Sequence, residues 1–120
     1  MTGKDLVDKI LKYENLGGHA RFYELLLEIA ELHARKNANY AEDNDPLSNL
    51  KYCANFGIRP FIGVMVRLSD KWSRITQLAK GKPDLVGESI KDTLFDNAVY
   101  SLLSIILLEE ENKNVPKKIT

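Results

Sequence analysis

Read for the spacing of apolar and polar positions, the chain is a succession of helices with short breaks between them. In "TGKDLVDKILKYENLGG", Leu6, Ile10 and Leu11 recur at helical spacing and Gly17-Gly18 supplies a stop, which predicts a short N-terminal helix within residues 1–17. From about His19 to about Lys36, Phe22, Leu25, Leu26, Ile29, Leu32 and His33 share one face, while Glu24, Glu28, Glu31 and Arg35 lie opposite. The stretch "KNANYAEDNDPLSN" is dense in Asn and Asp and reads as a structured loop, with Tyr40 and Leu47 as apolar anchors. Asp45 or Asn44 would cap a short helix that Pro46 begins and Gly57 ends. In "RPFIGVMVRLSDKWSRITQLAKG" Pro60 falls in the first turn and Gly81 ends the helix, with Phe61, Val64, Met65, Leu68, Trp72, Ile75 and Ala79 as its apolar side. A last helix is expected from near Leu85, with Asp84 as its cap, to about Glu111, and residues 112–120 read as a polar, frayed tail.

No alternating strand pattern, internal repeat or low-complexity tract interrupts this series. The pattern therefore predicts an all-α fold: one compact domain over residues 1–120, a bundle of about four to five helices. The last helix is apolar almost all round and is expected to be its buried centre.

Composition narrows the classes. A chain of 120 residues that is 44% hydrophobic can bury a core without a disulfide or a structural metal. The single cysteine, Cys53, excludes an intramolecular disulfide and a zinc site of the usual spacing. With 17 basic and 17 acidic residues there is no basic excess, which argues against general nucleic-acid binding. The charged N-terminal stretch has no long apolar run of the kind a signal peptide carries, and "AVYSLLSIILL" is too short to span a bilayer. A soluble, cytoplasmic protein with no membrane partner is expected. No Walker A, GxSxG, GxGxxG or deaminase pattern occurs.

Two constellations of charge carry candidate chemistry. Glu88, Asp92 and Asp96 recur every four residues and, at about 100° per residue, span an arc of roughly 80° that Val99 and Leu103 continue. Ser89, Asn97, Ser101 and Ser104 form the polar arc elsewhere, so the acids extend the inward stripe. Inward carboxylates must be paired, protonated or metal-bound, and oxygen clusters on adjacent turns suit Mg²⁺. An exposed helix end with acids favoured by the helix dipole would show the same residues. In "RLSDKWSR", Arg67, Asp70, Lys71 and Arg74 sit on one helix face, where three cations around one acid would hold a phosphate. A salt-bridged helix surface has the same spacing. Lys36 would contact phosphate, Asn37 and Asn39 a base edge or the loop itself, and Tyr40 a base or the core. For His33 a core position is the simpler reading, and for Glu24 a solvated one.

These blocks, "KNANYAEDNDPLSN", "RLSDKWSRITQL" and "ESIKDTLFDNAVY", resemble the phage and bacterial family called nucleotide modification associated domain 1 over roughly Glu31 to Leu108. That family's pattern runs approximately K-N-x-D-Y, D-P-L-x-N, R-x-x-D-K-x-x-R and E-S-x-x-D-T-x-x-D-x-x-x-Y. The matching positions are Lys36, Asn37, Asn39 and Tyr40, then Asp45, Pro46, Leu47 and Asn49. Next come Arg67, Asp70, Lys71 and Arg74, and finally Glu88, Asp92, Thr93, Asp96 and Tyr100. Asn39 stands where the family has Asp, which puts catalysis in doubt while leaving binding intact. The chain is more distantly similar to MazG-like all-α nucleotide pyrophosphohydrolases, with Glu28 and Glu31 in one acidic pair and Glu88 and Asp92 in the other. The second pair is spaced four apart rather than three, and the gap between the pairs is longer than usual there.

The resemblance implies a nucleotide or nucleotide-derived ligand. One expectation is a Mg²⁺-dependent pyrophosphohydrolase: Glu88, Asp92 and Asp96 would hold the ion, and these acids with Asp70 would be catalytic. Lys36, Arg67, Lys71 and Arg74 would neutralise phosphate, and Asn37, Tyr40 and Asn49 would address the nucleoside. The other is non-catalytic sequestration of a nucleotide, such as a host immune signal, in a phage anti-defence role in the host cytoplasm; the acids would then orient the arginines. A third is a purely structural helical protein. A homo-oligomer, dimer or higher, is expected because so apolar a last helix would need cover.

Overall fold

The computed structural model describes residues 1–40, 45–83, 87 and 89–113, with the backbone alone for 37, 39 and 40. Its elements are α1 (Gly3–Leu16), α2 (Ala20–Tyr40), α3 (Ser48–Lys51), a 3-10 segment (Tyr52–Phe56), α4 (Pro60–Ala79) and α5 (Ile90–Lys113). The fold is all-helical, and the described residues contain no strand. They divide into two units, residues 1–36 and 37–120, with the division falling inside α2.

In the first unit α1 opens on a reciprocal cap. Thr2 Oγ1 accepts from the Asp5 N–H at 3.1 Å, and the Asp5 carboxylate accepts from the Thr2 N–H at 2.8 Å. Gly17, at φ 125°, then lets the chain leave the helix. Helix α2 continues four residues past Lys36, so "KNANY" is its last turn rather than loop. The reason is local: nothing between Ala20 and Pro46 breaks a helix, and Ala34 and Ala38 favour one. No described residue of this unit is buried.

The second unit is built on α4 and α5 packed antiparallel. Arg59, at the start of α4, meets Glu111, near the end of α5, at 2.7 Å, and Lys71 meets Asp96 farther along at 2.9 Å. The Glu111 carboxylate also accepts from the Phe61 N–H at 3.4 Å. It therefore caps α4, whose own N-cap residue, Arg59, has no side-chain acceptor to offer. Below this end lies the core: Leu47, Leu50, Val64 and Leu107, flanked by Met65, Leu68, Tyr100 and Leu103.

The expected short helix is in place but changes character. Asp45 accepts from the Leu47 N–H at 2.9 Å, α3 lasts one turn, and the 3-10 segment closes on Gly57 at φ 78°. Two apolar expectations differ. Trp72 is 57% exposed and Ala79 is exposed, because α5 covers only one side of α4. Helix α5 is itself partly buried. Thr93, Asp96, Asn97, Val99, Ser104 and Leu107 are inward, while Leu94, Leu102, Ile105 and Ile106 remain exposed. Among the described residues no helix is long and apolar enough to cross a membrane.

Candidate functional site: a polar half of the α4–α5 seam

The seam between α4 and α5 changes chemistry along its length. Toward the C-terminal half of α5 it is closed by Val64, Leu68, Leu103 and Leu107. Toward its N-terminus the buried residues of α5 are Thr93, Asp96 and Asn97; Val99 follows them, and Ser104 is a buried hydroxyl among the apolar side chains beyond. Toward that N-terminus the inward face of α4 presents Lys71 and Arg74, both partly buried.

Each polar group has a distinct fate. Lys71 Nζ donates to Asp96 Oδ2 at 2.9 Å, with side-chain exposures of 23% and 10%. A carboxylate so far from water requires such a partner. Thr93, fully buried, donates its hydroxyl to the Ser89 carbonyl at 2.9 Å. Asn97 is buried, yet neither its Oδ1 nor its Nδ2 has a hydrogen-bond partner among the described residues. The Gln77 side-chain oxygen on α4 is in the same condition. Buried amide groups left without partners cost about 1–3 kcal/mol each and mark places where water or a ligand completes the network. At the outer edge Arg67 is exposed, its guanidinium 5.9 Å from the centre of the Tyr100 ring.

The three regularly spaced acids are not equivalent. Asp96 is inward, as the stripe implied. Asp92 is exposed and forms a capping box with Ser89: its carboxylate accepts from the Ser89 N–H and hydroxyl at 3.3 and 2.9 Å, and its own N–H donates to Ser89 Oγ at 3.1 Å. The helix thus begins at Ile90 rather than near Leu85, and Ser89 belongs to its cap rather than to a polar arc. Glu88 and the expected cap Asp84 lie outside the described residues. Among the described residues no three acidic, histidine or cysteine side chains converge as a metal site would require. No protein-family model, no curated protein and no solved structure matches the chain.

The remaining candidates are dispersed. Asp70 and Asn49 are exposed, on α4 and α3 respectively. Lys36 is partly exposed on α2, and Asn37 and Tyr40 lie in that helix's last turn with side chains outside the described set. Glu28 faces Arg21 at 3.3 Å in an ion pair near the start of α2, and Glu31 is exposed.

Sequence reasoning passed over a second charged group. Lys51 bridges Asp45 at 2.8 Å and Glu110 at 2.9 Å, tying α3 to the end of α5. The Lys51 ammonium, then the Leu47 N–H, hold the Asp45 carboxyl below its ordinary range. Asp45, then Glu110, raise Lys51. Nothing in the spacing advertises this bridge, because Lys51 and Glu110 are far apart in the chain. The polar arc expected from Ser89, Asn97, Ser101 and Ser104 is also corrected: Asn97 and Ser104 are buried, and within the helix Ser101 alone of that set is exposed, because α4 covers the side on which Asn97 and Ser104 fall.

Proposed function

We propose that the chain is a non-catalytic binding protein for a nucleotide or nucleotide-derived anion, taken up at the polar half of the α4–α5 seam. The observation that carries this reading is the Lys71–Asp96 pair: the inward acid is engaged in holding a cation. Arg67 and Arg74 lie on the same helix as Lys71, one turn to either side, and would meet the phosphates. Asn97 supplies a buried amide group that a polar ligand or its waters would satisfy. The ligand class comes from the resemblance of the three sequence blocks, and so does the phage anti-defence role of sequestering a signalling nucleotide.

A resident Mg²⁺ fits the described donors poorly. It would have to displace Lys71 from Asp96 and Ser89 from Asp92. We therefore derive no hydrolytic step.

The test is a thermal-shift and calorimetric screen of mononucleotides, cyclic dinucleotides and ADP-ribose-type compounds, with and without Mg²⁺. Each bound compound is recovered after denaturation and identified by chromatography. A metal-independent shift with the compound returned intact is expected, and Arg67→Ala or Arg74→Ala should weaken it at least tenfold. Conversion to a monophosphate only with Mg²⁺ would replace this reading by the pyrophosphohydrolase, and no shift with any compound would leave a structural helical protein.

A further inference from the structure

On the side of α5 turned away from α4, four large apolar side chains are open to solvent: Leu94 at 47%, Leu102 at 52%, Ile105 at 53% and Ile106 at 42%. They are bounded by Lys91 one turn before and Glu109 one turn after, both exposed. At about 100° per residue, this whole set falls within roughly 60° of one direction, opposite the buried face.

The order of residues along this face is an inverted repeat. About a centre at position 100, each position n has a counterpart at 200 − n: Lys91 with Glu109, Leu94 with Ile106, and Ala98 with Leu102. Phe95 and Ile105 complete the series. A face with cation at one end, anion at the other and apolar residues between is complementary to itself when turned end for end. That is the requirement of an isologous two-fold contact, in which n meets n′ and n′ meets n. Among the described residues neither Glu109 nor Lys91 makes an ion pair, and the Lys91 ammonium stands 5.8 Å from the centre of the Phe95 ring.

We infer that this face of α5 docks a second copy of the chain, with the two α5 helices antiparallel about a two-fold axis that passes between Ala98 and Leu102. Lys91 then pairs with the partner's Glu109 at both ends, and the four exposed apolar side chains of each helix lose their contact with water. A parallel pairing is disfavoured because it sets Lys91 against Lys91 and Glu109 against Glu109. The small Ala98 lets the helices approach closely opposite Leu102. This contact uses the side of α5 that the polar seam leaves free, so it stands or falls independently of the ligand.

Light scattering on the full chain at about 100 µM, where a contact of this modest area would be filled, tests it. The expected mass is that of a dimer, 2 × 13.6 = 27.2 kDa. Ile105→Glu places a charge in the centre of an outward face and should give a monomer whose circular dichroism stays helical. The charge variants test the orientation. Lys91→Glu and Glu109→Lys each favour the helix dipole of α5 itself, yet each should weaken the dimer on the order of tenfold, and combining them should restore it. A monomeric wild type, a dimer that survives Ile105→Glu, or a double variant no better than the singles would each overturn the inference.

Discussion

Lys71 Nζ reaches Asp96 Oδ2 at 2.9 Å across the α4–α5 seam, and both side chains are largely withdrawn from water. The pair sits where the seam turns from apolar to polar, so it specifies which faces of the two helices meet as well as contributing to their contact. Removing one partner takes from the other a charge-assisted bond made largely away from water. Asp96→Ala should therefore lower the unfolding free energy by about 3 kcal/mol, the lower end for a broken buried pair because the Lys71 stem lets its ammonium reach toward solvent. Replacing both, as Lys71→Met with Asp96→Leu, should recover most of that loss. Urea denaturation with unchanged m-values reads these differences. A loss for Asp96→Ala of less than about 1 kcal/mol would mean that the pair behaves as an ordinary surface contact.

Asp92 is expected to respond differently, although it lies one turn before Asp96 on the same stripe. Its carboxylate serves the capping box with Ser89, so Asp92→Ala should cost about 1 kcal/mol, and Ser89→Ala a similar amount. The two changes should be strongly non-additive, because either one breaks the same reciprocal contact. The measurement is a double-mutant cycle by chemical denaturation, repeated with Mg²⁺ present. An Asp92→Ala loss that grew markedly in Mg²⁺ would assign the carboxylate to a metal instead.

The contrast between those two acids marks where sequence reasoning works and where it stops. Helical periodicity places Asp96 inward correctly, since by that point α5 is continuous and α4 runs alongside it. The same periodicity places Asp92 inward too, but the first turn of a helix is governed by unsatisfied N–H groups rather than by the face it continues. The beginnings and ends of α1 and α4 were legible because Gly17, Pro60 and Gly81 announce them. The extra turn of α2 was not, because Asn-rich composition suggests a loop while nothing in it forbids a helix. Trp72 shows a different limit. The apolar stripe of α4 is wider than the elements that cover it, and composition cannot say which part is left over. Helix α5 has the same ambiguity all round, and only its packing against α4 separates a buried face from an open one.

The bridge from Lys51 to Asp45 and Glu110 predicts a pH dependence. The folded state depresses the Asp45 carboxyl below its ordinary value of 3.8, so the contribution is present above that pH and is lost as pH falls through the depressed value. Lys51 is raised above 10.5, so its contribution is intact below that pH and fades as pH rises through the elevated value. Between these limits the bridge should be independent of pH. Asp45→Asn keeps an acceptor for the Leu47 N–H but loses the charge. Its melting temperature should be slightly below the wild type at neutral pH, by the few tenths of a kcal/mol of a half-exposed pair. The difference should vanish once the pH lies well below the depressed value. An offset that persists undiminished there would remove Asp45 as the titrating group.

Gly63 lies in the first turns of α4 where the 3-10 segment passes over it. A Cβ at this position would come within 2.8 Å of Cys53 Sγ. Two effects oppose each other on Gly63→Ala. Helix propensity favours alanine by about 1 kcal/mol, while forcing a methyl into an occupied contact costs about 1–3 kcal/mol. Cys53 could turn its sulfur away, but Sγ would then give up its contacts with the Leu50 and Ile58 carbonyls, each at 3.6 Å. The steric cost should win, and Gly63→Ala should lower the melting temperature. Cys53→Ala removes the sulfur, so in that background the same substitution should become neutral or stabilising, and the sign change is the diagnostic. If Gly63→Ala is equally destabilising with and without the Cys53 thiol, the cost arises elsewhere on α4, and the close approach of the 3-10 segment is not what requires glycine there.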